Sequence, residues 1–375
     1  MSTQQTAERA SSFAELFGRI AGNVSRAIQG KDDVIQMVLL CLVAEGHLLL
    51  EDVPGVGKTS LAKALAASID GTFGRMQFTP DLLPSDVVGV SVYDRSTNRF
   101  EFRPGPVFGN IVLADEINRA SPKTQSALLE CMAEGQVTVD GNTHLLPPPF
   151  LVIATQNPIE HEGTYPLPES QLDRFLMRVT MGYPSRRAEL EILTAHADHN
   201  VLADLSPVVT AAEVNAMAVA VRTVHLAPAL LGYLVDLAEA TRRHPSLTLG
   251  MSPRATLSLQ RVGRARAAAA GRQYVTPEDI KALAGPVLAH RLLVTPEAGL
   301  QGTTSAEAST RCSAPFHSAR LEAPVPGFGD AIQGDRCRGR AWAPSSPRWP
   351  RSPPAASTEC PSCTWPELPV CSLWA

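Results

Sequence analysis

His47-Leu-Leu-Leu-Glu-Asp-Val-Pro-Gly-Val-Gly-Lys-Thr-Ser60 decides the fold. An apolar run, a glycine loop and the start of a helical pattern follow one another without a break. Backbone N–H groups in such a loop turn inward and, with the helix N-terminus, cradle phosphate oxygens. Gly55 and Gly57, with Val56 between them, let the backbone come close to its ligand. Lys58 is placed to reach β- and γ-phosphates, and the Thr59 hydroxyl, followed by Ser60, to sit on Mg2+. The strict pattern has Gly where this chain has Asp52, a residue that tolerates turn geometry better than most.

A second stretch, Ile111-Val-Leu-Ala-Asp-Glu116, reads as a buried strand ending in two acids. In a parallel sheet those carboxylates come out beside the glycine loop. Asp115 fits the hold on Mg2+, and Glu116 the group that orients and polarises an attacking water. Asp-Glu after an apolar run is a weak signal alone; downstream of Lys58 in an alternating pattern it is strong. Leu151-Val-Ile-Ala-Thr-Gln-Asn157 is a third strand, and the Asn157 amide can reach the same edge.

The three apolar runs alternate with helical patterns at Thr59–Ile69 and Pro122–Glu134. That is the texture of an α/β fold, a mostly parallel sheet with helices on both faces. Two hairpin-like segments interrupt it, Ser91–Phe102 and Gln136–Leu146, the second with an Asp140-Gly141 turn. Ahead of the sheet, residues 12–45 read as two amphipathic helices broken at Gly30, with Ser12 and Glu15 at capping-box spacing. After Tyr183-Pro184 the strands stop, and 186–292 reads as a small all-helical bundle. The expected domains are 12–183, 184–301 and a disordered tail over 302–375.

The tail stands apart by composition. It holds eleven of the 31 prolines, all four tryptophans, five of the seven cysteines and no lysine. It reads either as a disordered extension or as an out-of-frame product. Cys360 and Cys363 lack a second ligand pair at zinc-site spacing, while Cys41 and Cys131 sit in apolar helical patterns as small core residues. The whole chain of 375 residues is 44% apolar and 19% charged, with a formal net charge of −4. No global basic field argues for nucleic acid. No apolar run approaches the ~18 residues of a membrane span, and the polar N-terminus lacks a signal-peptide core. The cytoplasm is the expected compartment.

Two arginines extend the constellation. Arg174, in Pro168-Glu-Ser-Gln-Leu-Asp-Arg-Phe175, follows a loop whose position would face a neighbouring subunit in a ring. Arg254, in Met251-Ser-Pro-Arg254, lies in the first turn of a helix that Ser252 caps and Pro253 opens. By sequence alone each can equally be a surface salt-bridge arginine. A cation there opposes the helix dipole, which suggests an anionic partner.

Three long stretches carry a resemblance: DLLPSDVVG (81–89), GPVFGNIVLADEINRASPKTQSALLECMAEGQVTVDG (105–141) and FLVIATQNPIEHEGTYPLPESQLDRF (150–175). Over about residues 12–300 the chain resembles the MoxR family of AAA+ ATPases, ring proteins of the helix-2-insert clade. The resemblance implies a homohexameric ring with ATP and Mg2+ at subunit interfaces. It makes Asn157 sensor 1, Arg174 an arginine finger acting in trans and Arg254 sensor 2. It places adenine at Ile28-Gln29-Gly30, the helix-2 insert at Ser91–Phe102 and a pre-sensor hairpin at Gln136–Leu146. It further implies a chaperone or activase for a client protein or metalloenzyme complex, often with a von Willebrand factor A-domain partner. Nothing past about residue 302 inherits a role.

Two other functions remain open. One is a magnesium-chelatase-like or DNA-associated motor, for which the insert arginines Arg95, Arg99 and Arg103 are too interleaved with Asp94 and Glu101 to argue strongly. The other is a nucleotide-gated scaffold, against which Asp115 and Glu116 speak.

Overall fold

The computed structural model describes residues 3–53, 55–157, 164–195 and 201–313. Helices α1 (Thr3–Ala27) and α2 (Asp32–Val43) lead into strand β1 (Leu48–Glu51), the glycine loop and helix α3 (Lys58–Ser68). Strand β2 (Phe73–Gln77), a short helix α4 (Pro84–Val88) and the hairpin β3 (Gly89–Asp94) and β4 (Arg99–Pro104) follow. Next come β5 (Ile111–Asp115), α5 (Pro122–Glu134), the hairpin β6 (Gln136–Val139) and β7 (Asn142–Leu145), and β8 (Leu151–Gln156). A single turn α6 (Glu169–Leu172) and strand β9 (Met177–Val179) complete the α/β part.

Five of these strands form one parallel sheet in the order β2-β5-β8-β1-β9. Its central strands are apolar on both faces because helices cover both. Leu48, Leu50, Ile111, Leu113, Leu151 and Ile153 pack against α1, α2 and α3. Their alternates Leu49, Val112, Ala114, Val152 and Ala154 pack against α5 with Leu128, Leu129 and Met132. The period of two along each strand produces this split. The edge strands β2 and β9 escaped the sequence reading: β2 is half-exposed and mixes Gly, Arg and Gln, and β9 is only three residues long.

Helix α1 starts earlier than expected. It runs unbroken from Thr3, so Ser12 lies inside it and caps nothing. The residues before Ser12 contain no Gly or Pro to stop a helix.

Both hairpins form where the sequence put them, and they touch. The Phe102 ring stacks on the His144 ring at 4.0 Å between centroids, with Phe108 edge-on to both. Gly89, at the root of the first hairpin, has φ +100°, and a Cβ there would lie 2.3 Å from the Arg103 carbonyl oxygen. Only glycine fits.

The helical part comprises α7 (Arg186–Ala195), α8 (Ala211–Arg222), α9 (Pro228–Arg242), α10 (Pro253–Ala269), α11 (Pro277–Leu288), α12 (Pro296–Leu300) and α13 (Ser305–Ser313). It is not purely helical, because β10 (Leu247–Leu249) and β11 (Leu293–Val294) pair as a two-stranded antiparallel ribbon. Its core is continuous with the cluster under α1 and α2, through Val214, Met217, Leu259, Val262 and Ile280.

Helix α13 corrects the tail boundary. A tail beginning at 302 was expected to be disordered, yet Ala308, Ser309 and Cys312 are buried on one face of α13. Thr304 and Glu307 form a reciprocal cap at its start, with bonds of 3.0 and 3.2 Å. The remainder of the expected tail, 314–375, lies outside the described residues, Cys360 and Cys363 included. Cys41 and Cys131 are buried, and burial raises both thiols, Cys131 to about 11.

Candidate active site

Because β1, β5 and β8 run parallel, the glycine loop, Asp115 and Asn157 emerge on one edge of the sheet. Gly55 has φ +85° and Gly57 φ +97°. Apart from its chain neighbours, no atom of the described residues lies within 4 Å of a Cβ built at Gly55, so the left-handed torsion, and not crowding, demands glycine there. Gly57 is the N-cap of α3, and Lys58, Thr59 and Ser60 form its first turn. N–H groups of a first turn have no partner within the helix and are available to an anion.

Asp52, the departure from the strict loop pattern, has a structural task. Its carboxylate accepts the Val53 N–H at 2.9 Å and the Gly182 N–H at 2.5 Å, while its carbonyl accepts the Lys58 ammonium at 2.8 Å. The same Gly182 segment is held from the other side by Lys31, whose ammonium donates to the carbonyls of Met181 and Tyr183. The loop is thereby tied to the chain leading into α7. Burial lowers the Lys58 pKa, and the charges of Asp52, Asp115 and Glu116 oppose that shift. Those opposing charges put both strand-end acids within Coulomb reach of the loop lysine.

Thr155 joins the two acids. Its hydroxyl donates to Asp115 Oδ1 at 3.3 Å and accepts the Glu116 N–H at 2.9 Å. Glu116 itself sits at φ 56°, ψ 50°, a left-handed conformation uncommon for a residue with a side chain. It turns the chain sharply off β5, so that Asp115 and Glu116 point to different partners. Arg75 reaches Asp115 Oδ2 through Nε at 3.0 Å and a terminal nitrogen at 2.9 Å. Gln77 donates to Glu116 Oε2 at 2.8 Å, and Arg119 lies 3.1 Å from the same oxygen. Arg75, Gln77, Arg119 and Thr155 were all missed by sequence reasoning. Arg75 and Gln77 share one face of a strand that the sequence reading did not find.

The segment assigned to adenine lies close by. Ile28 is buried, Gly30 has φ +68°, and a Cβ on Gly30 would lie 2.8 Å from Ala188 Cβ in α7. Between them, the buried Gln29 Oε1 has no hydrogen-bond partner among the described residues. A buried acceptor without a donor is costly, and an exocyclic amine such as that of adenine would satisfy it. The orphan acceptor, the positive-φ glycines and Lys58 together fit a nucleoside triphosphate. Among the described residues no group of three or more His, Cys, Asp or Glu side chains is arranged to hold a metal alone. Thr59 and Asp115 suit a cation whose other ligands are phosphate and water.

The remaining residues are placed as follows. Asn157 is buried directly after β8, at the edge shared with the acids. Residues 158–163, which follow it, lie outside the described residues. Arg174 is half-buried and donates to the Leu129 carbonyl in α5 at 2.7 Å. Arg254 is exposed in the first turn of α10, which Ser252 caps by accepting the Ala255 N–H at 3.1 Å.

Residues 47–177 match the ATPase family associated with various cellular activities (AAA), and 239–311 match the AAA lid domain; the latter reaches into α13. The chain is 51% identical over 296 residues to the uncharacterized protein YeaC of Bacillus subtilis, covering 79% of this chain and 92% of that one. It is 44% identical over 291 residues to chaperone MoxR1 of Mycobacterium tuberculosis, covering 73% and 75%. It is 32% identical over 293 residues to protein MoxR of Paracoccus denitrificans, covering 72% and 86%. A solved structure from Cytophaga hutchinsonii, itself assigned only as a candidate ATPase, superposes with a TM-score of 0.77 at 38% identity, covering 82% of this chain and 96% of that one. With a glycine loop, paired strand-end acids, a helical lid and these relatives, the chain belongs to the MoxR family of AAA ATPases.

Proposed function

We propose that this ATPase hydrolyses ATP within a homohexameric ring and uses the cycle to remodel or activate a client protein or metalloenzyme complex. The observation that carries the reading is the Thr155 bridge, which holds Asp115 and Glu116 at the sheet edge beside Lys58. Gly55, Val56, Gly57 and Ser60 cradle the phosphates, Lys58 neutralises the β- and γ-phosphates, and Ile28 and Gly30 frame the adenine. Thr59 and Asp115 would hold Mg2+, which supplies charge neutralisation on the phosphates. Glu116 orients and polarises the attacking water, and Asn157 hydrogen-bonds that water or the γ-phosphate. Arg254 reads the γ-phosphate of its own subunit, and Arg174 reaches the site of the next.

A remodelling role is supported by the relative named chaperone MoxR1. A von Willebrand factor A-domain protein is the proposed partner and the cytoplasm the proposed compartment. No described helix is long and apolar enough to cross a membrane.

Two variants test the catalytic assignment. Lys58→Ala should weaken ATP binding, because the phosphates lose their cation. Glu116→Gln should keep binding and lose on the order of 10²-fold or more in turnover, the scale of a lost general base. Turnover at the parent rate in Glu116→Gln would overturn the assignment.

A further inference from the structure

Arg291, between α11 and β11, is a buried cation that the catalytic reading does not use. Its guanidinium lies across the chain that carries Arg174. One terminal nitrogen donates to the carbonyls of Asp173 at 3.2 Å and Phe175 at 2.7 Å, and also to the Ser258 hydroxyl at 3.3 Å. The other terminal nitrogen donates to the Val287 carbonyl at 3.1 Å within α11. Nε lies 2.9 Å from Asp173 Oδ1, an ion pair whose N–H is not aligned as a hydrogen bond. The neighbouring His290 makes a 3.1 Å contact through Nε2 with the Phe175 carbonyl. Two consecutive lid residues thus grip the backbone on both sides of Arg174.

The same carboxylate reaches the start of the helix that carries the other candidate phosphate-reading arginine. Asp173 accepts the Ser252 hydroxyl at 3.3 and 3.4 Å, and Ser252 caps the helix that carries Arg254 two residues later. A buried arginine that loses its carboxylate is left as an uncompensated charge. The lid cannot move away from this segment without either breaking that pair or carrying the segment along. The Arg174 side chain meanwhile has one described hydrogen bond, to the Leu129 carbonyl of α5. Its aim is set by that bond together with its backbone, which the lid holds.

We propose that the Asp173–Arg291 pair couples the lid of each subunit to the arginine that subunit presents to its neighbour. Asp173 and Arg291 are positioning residues: a lid that closes on its own nucleotide re-aims Arg174 toward the next site. This inference rests on the reading of Arg174 as acting in trans.

The test uses the full chain in mixed rings. Asp173→Asn keeps the side chain's shape and removes its charge. It should bind a fluorescent ATP analogue within about twofold of the parent while turnover falls about tenfold or more, a loss on the scale of removing a group that acts only in the transition state. Lys58→Ala chains, inactive themselves, supply a correctly held Arg174. Adding them should raise turnover per Asp173→Asn site, as they should for Arg174→Ala. Arg291→Lys, which keeps the charge and loses the fork, is the second variant and should be rescued in the same way. Recovery of Arg174→Ala without recovery of Asp173→Asn or Arg291→Lys would overturn the coupling and leave the ring reading standing. Failure to recover Arg174→Ala, in mixed rings confirmed by mass, would overturn both. Parent-level turnover in the two positioning variants would also overturn the coupling.

Discussion

Gln77 donates a 2.8 Å hydrogen bond to Oε2 of Glu116, the oxygen that Arg119 also approaches, at 3.1 Å. A carboxylate with one oxygen already engaged by two donors is a weaker acceptor for a water proton. Gln77 therefore restrains the acid assigned to water activation. Gln77→Leu should raise basal ATP turnover roughly 2- to 10-fold, since a hydrogen bond to a charged group at an exposed position is worth on the order of 1 kcal/mol. Phosphate release measured with saturating ATP checks this, and an unchanged or lower rate would show that Gln77 does not restrain Glu116.

If Asp115 holds Mg2+ as proposed, Arg75 competes with the cation for one carboxylate, because both Arg75 contacts fall on Asp115 Oδ2. Arg75→Ala should lower the Mg2+ concentration that half-saturates nucleotide binding, by up to about fivefold, since a half-exposed ion pair contributes at most ~1 kcal/mol. Titrating Mg2+ against binding of a fluorescent ATP analogue gives the readout. A requirement for more Mg2+ in the variant would mean that Arg75 helps rather than opposes the cation.

The site of truncation matters at α13. A chain cut after Gln301 loses the buried Ala308 and Cys312 and the Ser305 hydroxyl bond to the Leu292 carbonyl. The expected loss is on the order of 2 kcal/mol from apolar burial and one hydrogen bond, a few degrees in melting temperature. A chain cut after Ser313 keeps α13 and should melt above the shorter one. Equal melting temperatures for the two would show that α13 contributes nothing.

Acid should destabilise the fold through two core histidines. His47 accepts the Val152 N–H through Nδ1 at 3.1 Å and contacts the Met132 carbonyl through Nε2 at 2.9 Å, so its neutral ring joins β1, β8 and α5. Burial lowers its pKa to about 4, and that of His290 to about 3. Each folded value lies below the unfolded one near 6.5, so the folded state favours the neutral ring. The stabilisation is complete above pH ~6.5 and fades as the pH falls toward 4, by on the order of 3 kcal/mol for His47. Melting temperature followed from pH 7 to 4.5 should fall, and less steeply in His47→Gln, whose amide can keep one donor and one acceptor. Parallel slopes in the two proteins would exclude His47 as a source.

Much of this protein was legible in its sequence because the informative signals are local. The glycine loop requires left-handed torsions at fixed positions, so Gly55 and Gly57 announce it. Buried parallel strands must be apolar on both faces, so the runs at 48, 111 and 151 stand out. Capping chemistry placed α10 and α11, and the same chemistry was available for α13 in Thr304-Ser-Ala-Glu307. The proline-rich composition beyond it masked that signal, because composition averages over a window wider than one short helix.

Only the tertiary structure decided which side chains meet the acids. Arg75 and Gln77 lie on an edge strand without an apolar signature, and parallel pairing of β2 with β5 brings them to Asp115 and Glu116. Asp173 and Arg291 are far apart in the chain, and each alone reads as an ordinary surface charge. Desolvation makes the pair significant, and it exists only after α11 has docked beside β9. A sequence states which residues prefer a local conformation or a dry environment. Which charge is left facing which is a property of the packed core, because that is fixed by the closing of distant elements on one another.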